Sequence, residues 1–311
     1  MTQRVLVTGS EGFVGRVLCT ALEKAGHDVL GCDRNVTSSP RRFTCDMADE
    51  TNVVNLVQWA GPIDCVYHLA AMTFVPSANK SPAAVMSANL QGTIHLATAM
   101  KTYVPGARLL FIGSAESYGP PQFTPMTEEH PLNPSSPYAI SKAAADQFCW
   151  FYQKSAGLDI VRVRPFNHSG AGQSDRFVLS SFARQIAEIE AGKRAPIIET
   201  GDLSASRDFL HVDDVIRAYL DLVRLGKAGE AYNICSGKAW RIDEALNLLL
   251  GMSNVSIHTR VDPERLRPVD IPLVLGAHDK LTRETGWTPR ISFETLLTEL
   301  LGYWRQEIAK A

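Results

Sequence analysis

Val5-Leu-Val7 runs directly into Thr8-Gly9-Ser-Glu-Gly12-Phe-Val-Gly15, and a helix-period segment follows over residues 13–25. An apolar run this short suits a strand buried on both faces of a parallel sheet. The three spaced glycines allow a tight turn, close approach of a pyrophosphate to the backbone, and close helix–strand packing. The unpaired N–H groups of the helix's first turn then face the phosphates. Strand, glycine turn and helix in this order predict a Rossmann-like, doubly wound α/β fold. Gly9, Gly12, Phe13, Val14 and Gly15 become the expected dinucleotide contacts.

The βα alternation continues. A second strand over residues 28–32 ends in Asp33-Arg34. An acidic residue there accepts the ribose hydroxyls of NAD, whereas an arginine can hold the 2′-phosphate of NADP. Asp33 comes first and would repel a phosphate, so NAD(H) is favoured and NADP(H) is possible; a plain strand-end turn is the alternative role for Asp33. A third strand over 43–45 ends in Asp46-Met47, expected at the adenine edge, and Asp49 is expected to cap a helix through Trp59. A fourth strand over 64–68 delivers Leu69-Ala70-Ala71, whose small alanines let backbone lie against a cofactor. Residues 81–100 read as one long helix containing Asn89 and Gly92. A fifth strand over 108–112 brings Gly113-Ser114-Ala115-Glu116 to the same edge, where open α/β sheets bind ligands. His68 and His95 have no partner at metal-ligand spacing, so no metal is expected.

Residues 120–137 carry six prolines and read as a loop. It leads to a helix with Ser135 or Ser136 as cap, Pro137 in the first turn and Gly157 as terminator. Tyr138 and Lys142 are four apart and share one face of that helix. A free tyrosine titrates near pH ~10, and a lysine cation beside it would bring proton transfer within reach of neutral pH. A surface pair on an amphipathic helix is the alternative. A sixth strand over 159–163 follows, and then the alternation loosens. Helices are expected at 177–191, 212–225, 242–252 and 293–308, with strands or extended chain at 196–199, 206–211, 231–235 and 255–259. No tether divides the chain, so a smaller α/β lobe is expected to interleave with the first. The division is 1–166 with 212–237 for the dinucleotide, and 167–211 with 238–311 for the second lobe.

Composition narrows the functions. A hydrophobic content of 45%, a charged content of 21% and a net charge of −2 describe a globular protein with no basic bias toward nucleic acid or anionic membrane. Six scattered cysteines without C-x-x-C read as reduced thiols. There is no signal-peptide pattern and no apolar run long enough to span a bilayer, so the cytoplasm is the expected compartment.

Gly9-x-x-Gly12-x-x-Gly15, the serine after the fifth strand and Tyr138-x-x-x-Lys142, in this order, resemble the extended short-chain dehydrogenase/reductases that act on nucleotide sugars. The resemblance covers nearly the whole chain. It implies Tyr138 as the acid/base, and Lys142 as the group that holds the nicotinamide ribose and lowers the tyrosine's pKa. Ser114 would hydrogen-bond the sugar oxygen. Within that family, Arg164-Pro-Phe-Asn-His-Ser-Gly-Ala-Gly-Gln173, Tyr232-Asn-Ile-Cys-Ser-Gly237, Leu266-Arg-Pro268 and Thr285-Gly-Trp-Thr-Pro289 are similar to the GDP-4-keto-6-deoxy-D-mannose reductases, which form GDP-D-rhamnose. The likeness implies Phe166 at the cofactor and Asn167, Val178 and Arg184 facing substrate. Arg207 would hold the diphosphate, with Arg267 and Asp270 at the nucleoside end. A surface ion pair is the alternative for each arginine.

Glu116 stands where 4,6-dehydratases keep a catalytic base. A dehydratase or 4-epimerase with a recycled cofactor therefore stays open beside the reductase, as does a dinucleotide sensor without catalysis. Against a GDP-mannose dehydratase, Glu11-Gly-Phe13 stands where those enzymes carry Gln-Asp-Gly. Resemblance also implies a homodimer through helices 81–100 and 138–156. The matching apolar stripes would be Met86, Leu90, Ile94 and Ala97 on one helix and Ala145, Phe148, Cys149 and Tyr152 on the other, flanked by Trp150 and Phe151.

Overall fold

The computed structural model describes residues 2–265 and 271–310. In chain order the first half comprises β1 (Arg4–Thr8), α1 (Phe13–Lys24), β2 (Asp28–Asp33), β3 (Arg42–Thr44), α2 (Glu50–Ala60), β4 (Cys65–His68), α3 (Val75–Lys80), α4 (Pro82–Met86), α5 (Gly92–Tyr103), β5 (Arg108–Ile112) and α6 (Pro137–Ala156). The second half comprises β6 (Ile160–Pro165), β7 (Asn167–Ser169), α7 (Val178–Glu190), β8 (Ile197–Thr200), β9 (Ser206–His211), α8 (Val212–Leu225), β10 (Ala231–Ile234), β11 (Ala239–Arg241), α9 (Ile242–Gly251), β12 (His258–Val261), β13 (Leu273–Val274), α10 (Asp279–Thr285) and α11 (Phe293–Lys310).

Seven parallel strands form the main sheet in the order β10-β6-β5-β4-β1-β2-β3. The winding direction reverses between β1 and β4, which opens the crevice where such sheets take ligands. Val5, Leu6 and Val7 are all fully buried because alternate side chains enter opposite cores. Val5 and Val7 pack with α1 and α8, while Leu6 packs with α2, α5 and α6. That explains a run with no polar position. After β6 the chain builds a smaller sheet, in which β9 pairs with β7, β11 and β13, and a β8–β12 pair. It returns to the main sheet only as β10. Leu179, Phe182 and Ile186 of α7 share the smaller core with Leu246 of α9 and Leu297 and Leu300 of α11.

Local signals act as the residues suggest. Ser136 accepts from the Ala139 N–H at 3.1 Å to cap α6, and Gly157 ends it at φ +72°. Asp49 caps α2 through the Asn52 N–H at 2.9 Å. All six cysteines are free and buried. Among the described residues no helix is long and apolar enough to cross a membrane, and no cluster of three metal-ligating side chains occurs.

Three expectations need correction. Residues 81–100 are not one helix: α4 passes through a π-helical turn at Ser87–Gln91 before α5. A π turn holds one extra residue, which a 3.6-residue period does not register. Strands β8 and β12 lie one to three residues beyond the stretches expected for them, because each is set by pairing with the other. Their sequences alternate too weakly to fix the ends. The apolar stripe assigned to a dimer face on α6 faces inward: Ala145 and Cys149 are fully buried against the sheet, with Phe148 and Tyr152 packed on the same core. The apolar side chains that α6 exposes are Ile140, Trp150 and Phe151.

Candidate active site

A cleft of about 1650 Å³ opens above the carboxyl ends of the central strands. Its dinucleotide wall is made of backbone. Gly9 adopts φ +72°, and a Cβ there would lie 2.9 Å from the Ala70 nitrogen. At Gly15 a Cβ would fall 2.1 Å from the Gly9 carbonyl oxygen, so the loop closes only with glycine. Gly12 precedes α1 without a side-chain cap and without an acidic residue in the first turn, leaving the helix N–H groups free for phosphate. Phe13, Val14, Asp33, Arg34, Asp46, Met47, Leu69, Ala70 and Ala71 line the same wall. Asp33 accepts from the Asn35 N–H at 3.1 Å and Asp46 from the Ala48 N–H at 3.0 Å. This cradle fits a dinucleotide.

A chain of hydrogen bonds fixes the strand ends under that wall. The Thr93 hydroxyl donates to the Asn89 carbonyl at 2.6 Å, so it accepts from His68 Nε2 at 3.1 Å. His68 Nδ1 is then the acceptor for the Thr8 hydroxyl at 2.8 Å, whose oxygen accepts from the Ala70 N–H at 3.2 Å. Burial, helped by the Lys142 charge, pulls His68 down to about 3, so the ring stays neutral and this tautomer persists. His68 is thus a structural link, as its lack of metal partners suggests.

Asn89, on the π turn, is the residue that sequence reasoning undervalued. Its amide accepts from the Met72 N–H at 2.8 Å and donates to the Met72 carbonyl at 3.1 Å and to the Ser141 hydroxyl at 2.9 Å. Ser141 in turn donates to the Tyr138 carbonyl at 2.7 Å. One side chain therefore pins the segment after β4 to the turn of α6 that carries Tyr138. Polar residues recur along that helical stretch, so nothing in the sequence set Asn89 apart.

Ser114, Glu116, Tyr138 and Lys142 meet at the floor of the cleft. Burial pushes the Tyr138 phenol up to about 12, against the pull of the Ser114 hydroxyl and with the Glu116 charge adding to the rise. The lowered tyrosine pKa expected from the sequence is not present in this arrangement. Lys142 instead donates to the Ile112 carbonyl at 2.5 Å, and burial brings its own pKa down to about 8. One turn further along α6, Asp146 is fully buried and accepts from Arg162 Nη1 at 2.5 Å and from Arg164 Nε at 3.0 Å. Despite the cost of burial, these two guanidinium groups hold the Asp146 carboxyl below its usual value. Removing that carboxylate would leave buried charge uncompensated, which is strongly destabilising.

The opposite wall is made of long side chains. Phe166, Asn167, Val178, Arg184 and Arg207 all line it. Arg184 is already held by Asp175 through Nη1 and, at 2.8 Å, by Glu188 through Nε. Arg207 donates to the carbonyls of Ser206 and Ile271 at 2.9 and 2.7 Å. Arg265, which the sequence reading did not single out, lines the cleft and donates to the Ser181 hydroxyl at 3.3 Å. Arg267 and Asp270 lie outside the described residues.

A model of the family described as GDP-mannose 4,6 dehydratase matches residues 6–300. The chain belongs to this family. It is thereby an extended short-chain dehydrogenase/reductase, as Gly9, Ser114, Tyr138 and Lys142 imply. Within the family, the GDP-6-deoxy-D-mannose reductase of Pseudomonas aeruginosa is 38% identical over 310 residues, covering 99% of each chain. The structure of RMD from Pseudomonas aeruginosa complexed with NADPH superposes with a TM-score of 0.88 at 37% identity, covering 98% of this chain and 100% of that one. A UDP-glucose 4-epimerase from Thermus thermophilus in complex with NAD superposes with a TM-score of 0.85 at 26% identity, covering 97% of this chain and 99% of that one.

Proposed function

We propose that the protein reduces the C4 ketone of a GDP-linked 4-keto-6-deoxyhexose to GDP-D-rhamnose or its C4 epimer, using a nicotinamide dinucleotide. The observation that carries this reading is the convergence of Ser114, Tyr138 and Lys142 on the floor of a cleft whose other wall is a glycine cradle. A bound reduced nicotinamide supplies hydride to the ketone carbon. Tyr138 donates the proton that the C4 oxygen then needs. A phenol held near 12 is protonated at neutral pH, which is the state a reduction requires. Ser114 orients the sugar oxygen, and the Lys142 cation holds the ribose while favouring the phenolate left behind. Asn167, Val178, Arg207 and, outside the described residues, Arg267 and Asp270 take the substrate; Arg184 shapes its own ion pairs first. The two lobes divide the work as 1–166 with 212–237 for the cofactor and 167–211 with 238–311 for the sugar nucleotide.

The test is incubation with GDP-4-keto-6-deoxymannose and each reduced cofactor. One equivalent of reduced cofactor should be consumed per sugar. Conversion of GDP-mannose to its 4-keto-6-deoxy form, or inversion at its C4, without net cofactor consumption would instead establish a dehydratase or epimerase, a reading favoured by Glu116 at the cleft floor. Inertness toward both the keto-sugar and GDP-mannose, with no cofactor oxidation, would leave the sensor.

Asp33 favours NADH. NADPH is the second option, because Arg34 lines the cleft and makes no ion pair among the described residues. Asp33→Ala should move the NADPH-to-NADH ratio of specificity constants upward; an unmoved ratio would take Asp33 away from the ribose. We also propose a cytoplasmic homodimer, supported by the exposed Ile140, Trp150 and Phe151 of α6. Light scattering that gives the mass of one chain at full activity would refute the dimer.

A further inference from the structure

Phe74 and Phe177 come from opposite rims of the cleft. Phe74 lies on the loop between β4 and α3, while Phe177 immediately precedes α7. Their ring centroids are 6.3 Å apart with planes at 76°, an attractive edge-to-face arrangement. The Arg176 guanidinium lies 5.4 Å over the Phe74 ring and makes no ion pair among the described residues. All three residues line the cleft, and Phe177 is 38% exposed.

The two rims are anchored differently. Phe74 lies between Met72 and Val75, both packed on the small cluster of Ala78, Val85 and Tyr138, and Met72 is tied to Asn89 at both its backbone N–H and its carbonyl. Phe177 rides on a turn closed by its own N–H on the Ser174 carbonyl at 3.2 Å. Among the described residues no hydrogen bond or ion pair joins the two rims here; the contact is ring on ring and cation on ring.

We propose that Phe74, Arg176 and Phe177 form a latch across the sugar end of the cleft, closed in this structure and parted whenever a nucleotide-linked sugar enters or leaves. Such a contact is weak enough to open thermally, yet apolar enough to keep water from the floor at Tyr138. The latch rests on the reading of the cleft as a nucleotide-sugar site.

The probe is GDP-mannose, with its release followed by stopped flow from enzyme carrying oxidised cofactor. Phe74→Ala and Phe177→Ala should each speed release about threefold to tenfold, the range expected for one aromatic pair. The double variant should be no faster than the quicker single, because Phe74→Ala already removes both the ring contact and the Arg176 contact. Phe177→Tyr should restore slow release, and cofactor affinity should hold throughout. Unchanged release, or effects of the two alanines that multiply, overturns the latch. Phe177, the more exposed ring, gives the reading even if Phe74→Ala does not fold. Hydrogen exchange on the substrate-free protein tests the same contact independently. Phe177→Ala should speed exchange over residues 73–80, on the other rim, and unchanged exchange there also overturns the latch. If the unaltered enzyme binds no GDP-mannose, the nucleotide-sugar reading falls, and the latch is judged by exchange alone.

Discussion

The two walls of the cleft are built by opposite means. The dinucleotide wall consists of glycines, alanines and strand ends, and its ligand groups are backbone N–H donors at the start of α1. The sugar wall carries long side chains, and two of its arginines are already engaged: Arg184 with Asp175 and Glu188, Arg207 with two carbonyls. A backbone cradle is complete as soon as the loop folds. A wall of engaged side chains must exchange partners when substrate arrives. The first should respond sharply to small changes in its backbone, whereas the second should tolerate the loss of single side chains. Tyr138 and Lys142 sit where the walls meet and belong to neither.

The strongest test removes the hydroxyl at that junction. Tyr138→Phe should lower kcat by about 10²–10⁴, the range for one general acid, with cofactor affinity retained because the cradle is untouched. Retention of a tenth of the activity would take Tyr138 out of the proton step, and loss of cofactor binding would show that the walls are not independent.

Gly9→Ala strikes the cradle itself. The position is left-handed, and the added Cβ would meet Ala70 at 2.9 Å. A left-handed non-glycine residue costs about 1–2 kcal/mol before any clash, so cofactor affinity should fall roughly tenfold. Calorimetric titration showing wild-type affinity would break the contrast between the walls.

The next effect is pH-dependent. Burial brings Lys142 down to about 8, so its cation is complete below that pH and is lost as pH rises through it. Cofactor affinity should therefore decline above about pH 8, and Lys142→Arg should carry the decline to higher pH. A flat profile to about pH 9.5 in the unaltered enzyme would separate Lys142 from cofactor binding.

The smallest effect belongs to the sugar wall. Arg184→Gln should change KM only a few-fold and stability by about 0–1 kcal/mol, as expected for a pair with 41% side-chain exposure. A hundredfold rise in KM would mean that the arginine leaves Asp175 and Glu188 to grip substrate, and that the wall is less tolerant than the contrast holds.

The contrast also explains what could be read in advance. The glycine turn, the caps of α2 and α6, and the shared helix face of Tyr138 and Lys142 depend on interactions within a few residues, so the linear chain carries them. Val212–Leu225 was legible as a helix for the same reason: its apolar face repeats at a helical period over the whole element. The π turn at Asn89, the inward face of Ala145 and Cys149, and the strands β7, β11 and β13 were not. Each depends on a partner far along the chain, and strands of two or three residues have too few positions to show alternation.

By itself, then, the sequence determined a doubly wound sheet with a backbone cradle for a dinucleotide and a tyrosine and lysine sharing one helix face beside it. Backbone conformation at glycines, prolines and caps is a local property, and local properties survive in a string of letters. Only the tertiary structure decided which arginines are already paired, that Lys142 rests on the Ile112 carbonyl, and that Tyr138 sits high rather than low. Burial and charge pairing set those states. Both are sums over neighbours that come together only when the chain has closed around the cleft.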